Sequence, residues 1–131
     1  MILVTAAVIE KDGLILAARR GQGKHMEGFW EFPGGKLEPG ETPEQCLARE
    51  LTEEFGIESE VGEFLGESVF DYGEKVIKLI AYQVVHLAGE FQLHDHDEIR
   101  WLSHGEMHDV EWAPADIPLL KPVKNLLANG A

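Results

Sequence analysis

An α+β fold, with helices packed on a mixed sheet, is predicted by three features of this sequence. Strand-length apolar runs outnumber helical patterns and mostly fall in pairs joined by short turn signals. One helix is strongly marked in mid-chain over residues 43–55. A shorter helical pattern occupies residues 118–128. Paired strands with segregated helices give this class, where a regular alternation of strand and helix would give a parallel one.

The elements follow in order. Residues 2–9 and 14–19 flank Lys11-Asp12-Gly13, an Asp-Gly turn signal, and are expected to form a hairpin. Gly21 to Gly28 has no periodicity and is expected to be a loop. Phe29 to Phe32 is a short aromatic strand, stopped by Pro33-Gly34-Gly35. The mid-chain helix begins at Thr42, a good N-cap, with Pro43 in the first turn and Gln45 completing a capping box. Gly56 stands where a left-handed residue ends a helix, and Leu47, Leu51 and Phe55 form the buried stripe. Strands follow over about 61–70 and 75–87, joined through Asp71-Tyr72-Gly73-Glu74. His94 to Glu98 is expected to be a polar loop leading into a strand at 99–102, and residues 103–107 make one helical turn.

The chain has 131 residues, 44% hydrophobic and 27% charged, with no linker, repeat or low-complexity tract, which predicts one domain over 1–131. A formal charge of −13 excludes a nucleic-acid polymer as partner, since that needs a positive surface, but permits a nucleotide screened by metal ions. The apolar start lacks a basic leader and reads as a first strand, and no run approaches the roughly eighteen apolar residues of a membrane span. The lone Cys46 rules out an internal disulfide framework and suits a reducing, cytoplasmic setting. Nothing selects between a monomer and a homodimer.

The chemistry concentrates in the marked helix. At about 100° per residue, Glu50, Glu53 and Glu54 share one sector at the rim of the apolar stripe. Like charges that close ask for a cation, and hard oxygen donors at an open site suit Mg²⁺, with Mn²⁺ as the alternative ion. The competing interpretation is a solvated acidic face. Arg49 among the acids, and the bare backbone of Gly34-Gly35 and Gly40 just upstream, favour a site.

Gly35, five residues, Glu41, seven residues, then Arg49-Glu50-Leu51-x-Glu53-Glu54-x-Gly56-Ile57 resembles the Nudix box at every fixed position. Arg19-Arg20, His25-Met26, Glu31 to Lys36 and Gly40 to Gln45 resemble the MutT-like branch, and the tail from Ala113 to Leu120 resembles its CTP pyrophosphohydrolases. The resemblance implies a Nudix α/β/α sandwich that cleaves a nucleoside diphosphate linked to another group. It implies metal ligands Glu50, Glu53 and Glu54 with the Gly35 carbonyl, and Asp95 joining from a later loop, with Asp97 and Glu98 as neighbours able to replace it. Arg49 would orient a carboxylate, Glu41 would support loop and helix, and Glu50 or Glu53 would be the general base. The reaction implied is nucleoside triphosphate to monophosphate and pyrophosphate, on a (d)CTP-type nucleotide or an oxidised purine such as 8-oxo-dGTP. A nucleotide-sensing Nudix domain without catalysis is the alternative, and such members usually lose box carboxylates that this chain keeps.

At the substrate end, Arg20, His25 and Lys36 are scarce cations beside an acidic centre and are candidates for phosphate or base. Strand alternation turns Arg19 and Arg20 to opposite faces, and Arg20 matches the MutT residue near the nucleotide. By resemblance Asp116 contacts the base; the competing role is a helix N-cap ahead of Pro118. Phe70 and Leu79 are candidate walls of the base pocket, or plain core. His94 and His96 flank Asp95 and are expected to line the loop near the phosphates. His104 and His108 stand four apart, but without Cys partners, and with Gly105 between them, zinc is not expected.

Overall fold

The computed structural model describes residues 1–129. Its sheet is built from β1 (Ile2–Lys11), β2 (Leu14–Arg20), β3 (Trp30–Glu31), β4 (Glu58–Asp71), β5 (Val76–Ala88) and β6 (His96–Leu102), with helices α1 (Pro43–Phe55) and α2 (Leu120–Asn129). The strand order is β3-β2-β1-β5-β4, with β6 on the other side of β2. This is the mixed sheet with helices packed on it that the sequence predicts.

The first hairpin is only partly formed. Asp12 and Gly13 take φ of 54° and 78°, as a tight Asp-Gly turn requires. Beyond it β1 pairs β2 only at Glu10↔Ile15 and Lys11↔Leu14. From there β1 leaves to run parallel to β5, from Ile2↔Ile77 to Ile9↔Val84, while β2 pairs along its length with β6. Local turn chemistry is right; a long-range parallel ladder overrides the rest of the expected hairpin. The separation matters, because the segment Pro33–Leu37 enters it and pairs with β1. Ala7 N donates to the Pro33 carbonyl at 2.6 Å and Thr5 N to the Gly35 carbonyl at 2.8 Å.

Both faces of β1 are buried, which explains its unbroken apolar run. Ala7 and Ile9 face α1 with Leu16, Leu47, Leu51, Phe55 and Val84. Ala6 and Val8 face α2 with Ile15, Leu102, Leu119, Val123 and Leu127. Each fully buried Leu, Ile or Phe contributes about 1.5–3 kcal/mol relative to exposure. The α1 boundaries are those its caps predict. Gln45 N donates to Thr42 Oγ1 at 3.1 Å, Thr42 N donates to Gln45 Oε1 at 3.0 Å, and Gly56 sits at φ 67°.

Three element bounds differ from expectation. The strand expected from residue 61 begins at Glu58, because even its polar start pairs with β5 on an edge strand carrying register shifts. The strand expected at 99 begins at His96, which pairs with Arg20, so His96 lies in β6 and not in a polar loop. The closing helix is a 3-10 turn over Ile117–Leu119 followed by α2. Among the described residues, no helix is long and apolar enough to cross a membrane.

Candidate active site

A cleft of about 480 Å³ opens beside the end of α1, where β1, the 33–36 segment, the β4–β5 turn, Asp95 and residues 113–116 meet. It brings together Arg20, His25, Gly35, Lys36, Glu50, Glu54, Asp95 and Asp116 from distant parts of the chain. Glu53, Arg49 and Phe70 are not on its wall.

One end is acidic. Burial raises the Glu50 carboxyl above its usual range, although Arg49 Nη1 donates to Glu50 Oε1 at 2.9 Å. Burial and the neighbouring Asp95 push Glu54 up to about 7. Asp95 is held low by its hydrogen bond with Glu54 and then by Lys24, whose Nζ lies 2.9 Å from Asp95 Oδ1. Glu54 and Asp95 thus shift in opposite directions under each other's influence, with Glu50 one helical turn away on α1. Glu54 Oε2 is buried and has no hydrogen-bond partner. A crowded, all-oxygen set with an orphaned buried acceptor fits a hard divalent cation. Among the described residues no three such side chains close into a cage, so what exists is an adjacent acidic pair beside a third acid.

The other expected ligands are placed differently. Glu53 is 59% exposed and directs Oε2 at Arg49 Nη1, 3.1 Å away, outside the cleft. The Gly35 carbonyl faces β1 and accepts from both the N–H and the Oγ1 of Thr5, at 2.8 and 3.1 Å. The glycine pair itself is required by close approach. A Cβ at Gly34 would stand 1.9 Å from the Thr5 carbonyl oxygen, and one at Gly35 would stand 2.3 Å from the Glu50 carboxyl carbon.

Arg49 organises this end. It grips Glu41 with two bonds, Nε to Oε2 at 2.6 Å and Nη2 to Oε1 at 3.0 Å, and also reaches the Lys36 carbonyl at 3.2 Å. This hydrogen bonding holds the Glu41 carboxyl down to about 2. One guanidinium thus ties the loop before α1 to Glu50 and Glu53. Cys46 beneath it is fully buried and its thiol is raised by burial, which makes it packing and not a nucleophile.

The other end is sheltered. Asp116 is buried and its Oδ2 accepts the Phe32 N–H at 3.0 Å. Desolvation, then the charge of Glu31, raises its carboxyl well above the ordinary range, which favours the protonated form. It stands at the N-cap position of the 117–119 turn, but its side chain makes no capping hydrogen bond there. Arg20 Nη1 lies 3.3 Å from Glu31 Oε2, and Arg20 Nε donates to the His25 carbonyl at 3.0 Å. Arg19 pairs with Asp97 at 2.7 Å, away from the cleft, as strand alternation requires.

Three lining residues were not given these places by sequence reasoning. Tyr72 lines the cleft, accepts the Ala115 N–H at 3.2 Å and meets the His25 ring edge-on at 5.6 Å between centroids. Phe70 packs against it with tilted rings 4.6 Å apart and is off the wall, while Leu79 lies on it. Glu31 and His96 bond at 2.7 Å, and His96 stacks on Phe55. Tyr72 stands one residue past β4, in the Asp71–Glu74 connection, where no periodicity assigns a side chain its direction. His104 and His108 line a separate shallow groove, where Lys124 bonds to His108.

Comparison with known proteins gives a consistent picture. The chain matches the NUDIX domain over residues 2–123. It is 44% identical over 128 residues to a protein of Escherichia coli K12 named CTP pyrophosphohydrolase, covering 98% of this chain and 95% of that one. It is 39% identical over 117 residues to a putative 8-oxo-dGTP diphosphatase 2 of Mycobacterium tuberculosis, covering 87% and 82%. The solution structure of the E. coli ORF135 protein superposes with a TM-score of 0.86 at 44% identity, covering 98% of this chain and 92% of that one.

Proposed function

The chain belongs to the Nudix family of hydrolases, and from that premise we propose that it is a Mg²⁺-dependent pyrophosphohydrolase converting a nucleoside triphosphate to its monophosphate and pyrophosphate. The observation that carries this is the juxtaposition in one cleft of the Glu50, Glu54 and Asp95 carboxylates with the buried Asp116. One end suits a metal–triphosphate and the other a base.

Glu50, Glu54 and Asp95 are the residues that would hold the ion. When bound, Mg²⁺ offsets the charge of the phosphate chain and acidifies water. Glu50 is the preferred general base: it lies on the wall, its affinity for a proton is raised by burial, and Arg49 fixes its orientation. Glu50 takes the proton of the attacking water as its oxygen adds to the β-phosphorus. The bond from that phosphorus to the bridging oxygen of the α-phosphate breaks, and the monophosphate leaves with that oxygen. Lys36 and Arg20 line the same cleft and would hold phosphate oxygens.

A neutral Asp116 offers an O–H donor and a lone-pair acceptor together, the complement of an amine beside an unprotonated ring nitrogen. That is the edge of cytosine, and the relative named CTP pyrophosphohydrolase supports this choice. The second substrate is an oxidised purine nucleotide such as 8-oxo-dGTP, which has a donor beside an acceptor on the edge it turns outward; the mycobacterial relative's name supports it. Retention of Glu50, Glu53 and Glu54 argues against the non-catalytic sensor.

Pyrophosphate release from a panel including dCTP, CTP, 8-oxo-dGTP and the ordinary triphosphates tests the proposal. Turnover is expected with Mg²⁺ or Mn²⁺, none in EDTA, and the highest kcat/KM on a cytosine nucleotide. Tight nucleotide binding with no turnover of any substrate would leave the sensor.

A further inference from the structure

The loop of residues 21–28 takes no part in the chemistry above, yet it is fastened to Asp95 at two points. Gly21 donates its N–H to the Asp95 carbonyl at 3.0 Å, and a Cβ on Gly21 would stand 2.9 Å from that same oxygen. Three residues on, Lys24 Nζ reaches Asp95 Oδ1 at 2.9 Å. The same loop presents His25 and Met26 to the cleft. Met26 is held there at φ 60°, a left-handed conformation that side-chain-bearing residues rarely adopt. Arg20 Nε also holds the loop, through the His25 carbonyl at 3.0 Å, so the lysine is the fastening that a cation at Asp95 can displace.

Lys24 and a divalent ion compete for the same carboxylate. The side chains of the Lys24–Asp95 pair are 44% and 38% exposed, and pairs so open to solvent are weak. An ion held between Asp95 and its neighbours carries twice the charge and bonds the oxygens directly. We propose that Lys24 is a placeholder cation, which neutralises Asp95 when no ion is bound and is displaced by divalent-ion binding, releasing the loop that carries His25 and Met26. Lys24 is thus a positioning residue: metal arrival frees the loop to adjust to the nucleotide. The inference rests on the metal-dependent function proposed above.

Calorimetric Mn²⁺ titration of the nucleotide-free wild type, Lys24→Met and Lys24→Arg tests it, with amide exchange over residues 21–28 as a second measurement. Lys24→Met should bind Mn²⁺ about two- to fivefold more tightly, because the competitor is gone, and Lys24→Arg should resemble wild type. Exchange in the loop should rise on Mn²⁺ addition in wild type and be already fast and unresponsive in Lys24→Met. Equal or weaker Mn²⁺ binding by Lys24→Met overturns the placeholder role, as does a wild-type loop that ignores Mn²⁺. If the wild type takes up no Mn²⁺ at all, the proposed function falls and the placeholder with it; uptake by wild type without tightening in Lys24→Met removes the placeholder alone.

Discussion

Gly35 lies so close to the Glu50 carboxyl group that a methyl group on it would stand 2.3 Å from Glu50 Cδ and 2.6 Å from both its oxygens. The obstructing atoms are the end of a flexible side chain, so Gly35→Ala is expected to fold and to displace Glu50. A shift on the order of 1 Å at a reacting group costs roughly 10²-fold in rate. Steady-state kinetics should show kcat down by about that factor with the melting temperature near wild type; full activity would place Glu50 away from the reacting water.

Glu50 and Glu53 can be separated by amide substitution, which removes charge and keeps shape. Glu50→Gln should lower kcat by about 10²–10⁴-fold, the range of a lost general base. Glu53→Gln, which touches only an exposed partner of Arg49, is expected to cost far less and to leave the fold intact. If it abolishes turnover as Glu50→Gln does, Glu53 joins the residues that hold the ion.

Asp116 carries the pH prediction. Its folded carboxyl holds a proton above the ordinary carboxylate range, so the native state binds more protons than the unfolded chain in the interval between. Stability from this group is therefore complete at acid pH and lost as pH rises through the raised value. Asp116→Asn mimics the neutral acid without titrating. Melting curves across pH 5–9 should show the wild type declining relative to the variant on the alkaline side. Parallel curves would mean that Asp116 is charged. The same substitution should alter the ratio of kcat/KM between cytosine and oxidised-purine nucleotides, since an amide cannot donate and accept at one oxygen.

Cys46 should be dispensable for chemistry. Its thiol is fully buried and donates to the Lys36 carbonyl at 3.3 Å, beneath Arg49. Cys46→Ala should cost about 1 kcal/mol of stability and leave kcat within about twofold. Ellman's reagent should not label the native protein; rapid labelling with loss of activity would contradict the packing role.

Much of the acidic end was legible because it is local. Thr42, Gln45, Gly56 and the Leu47/Leu51/Phe55 stripe fix α1, and a helix fixes the relative directions of its own carboxylates. What a helical wheel cannot give is the depth of each side chain. Glu50 and Glu54 reach the cleft while Glu53 turns to Arg49, because Gly34-Gly35 arrives from one side only, through pairing with β1. The splaying of β1 from β2, the strand start at His96 and the Glu31–His96 bond depend on contacts across most of the chain, and no local periodicity encodes them. The sheltered end was seen at Asp116, its cationic neighbours and Leu79 but not at Tyr72, which sits in what the sequence marks as a turn.

The hydrogen bond from Phe32 to Asp116 spans 84 residues, and Trp30 likewise pairs its backbone with Glu111 and Ala113. Chains are threaded from the ribosome in order, so β1 through β6 can come together before residues 111–116 emerge. The core on the α2 side of β1 also waits for Leu119, Val123 and Leu127. The domain therefore closes only when its C-terminal residues are present, and truncation before residue 111 would cost the fold along with the wall at Asp116.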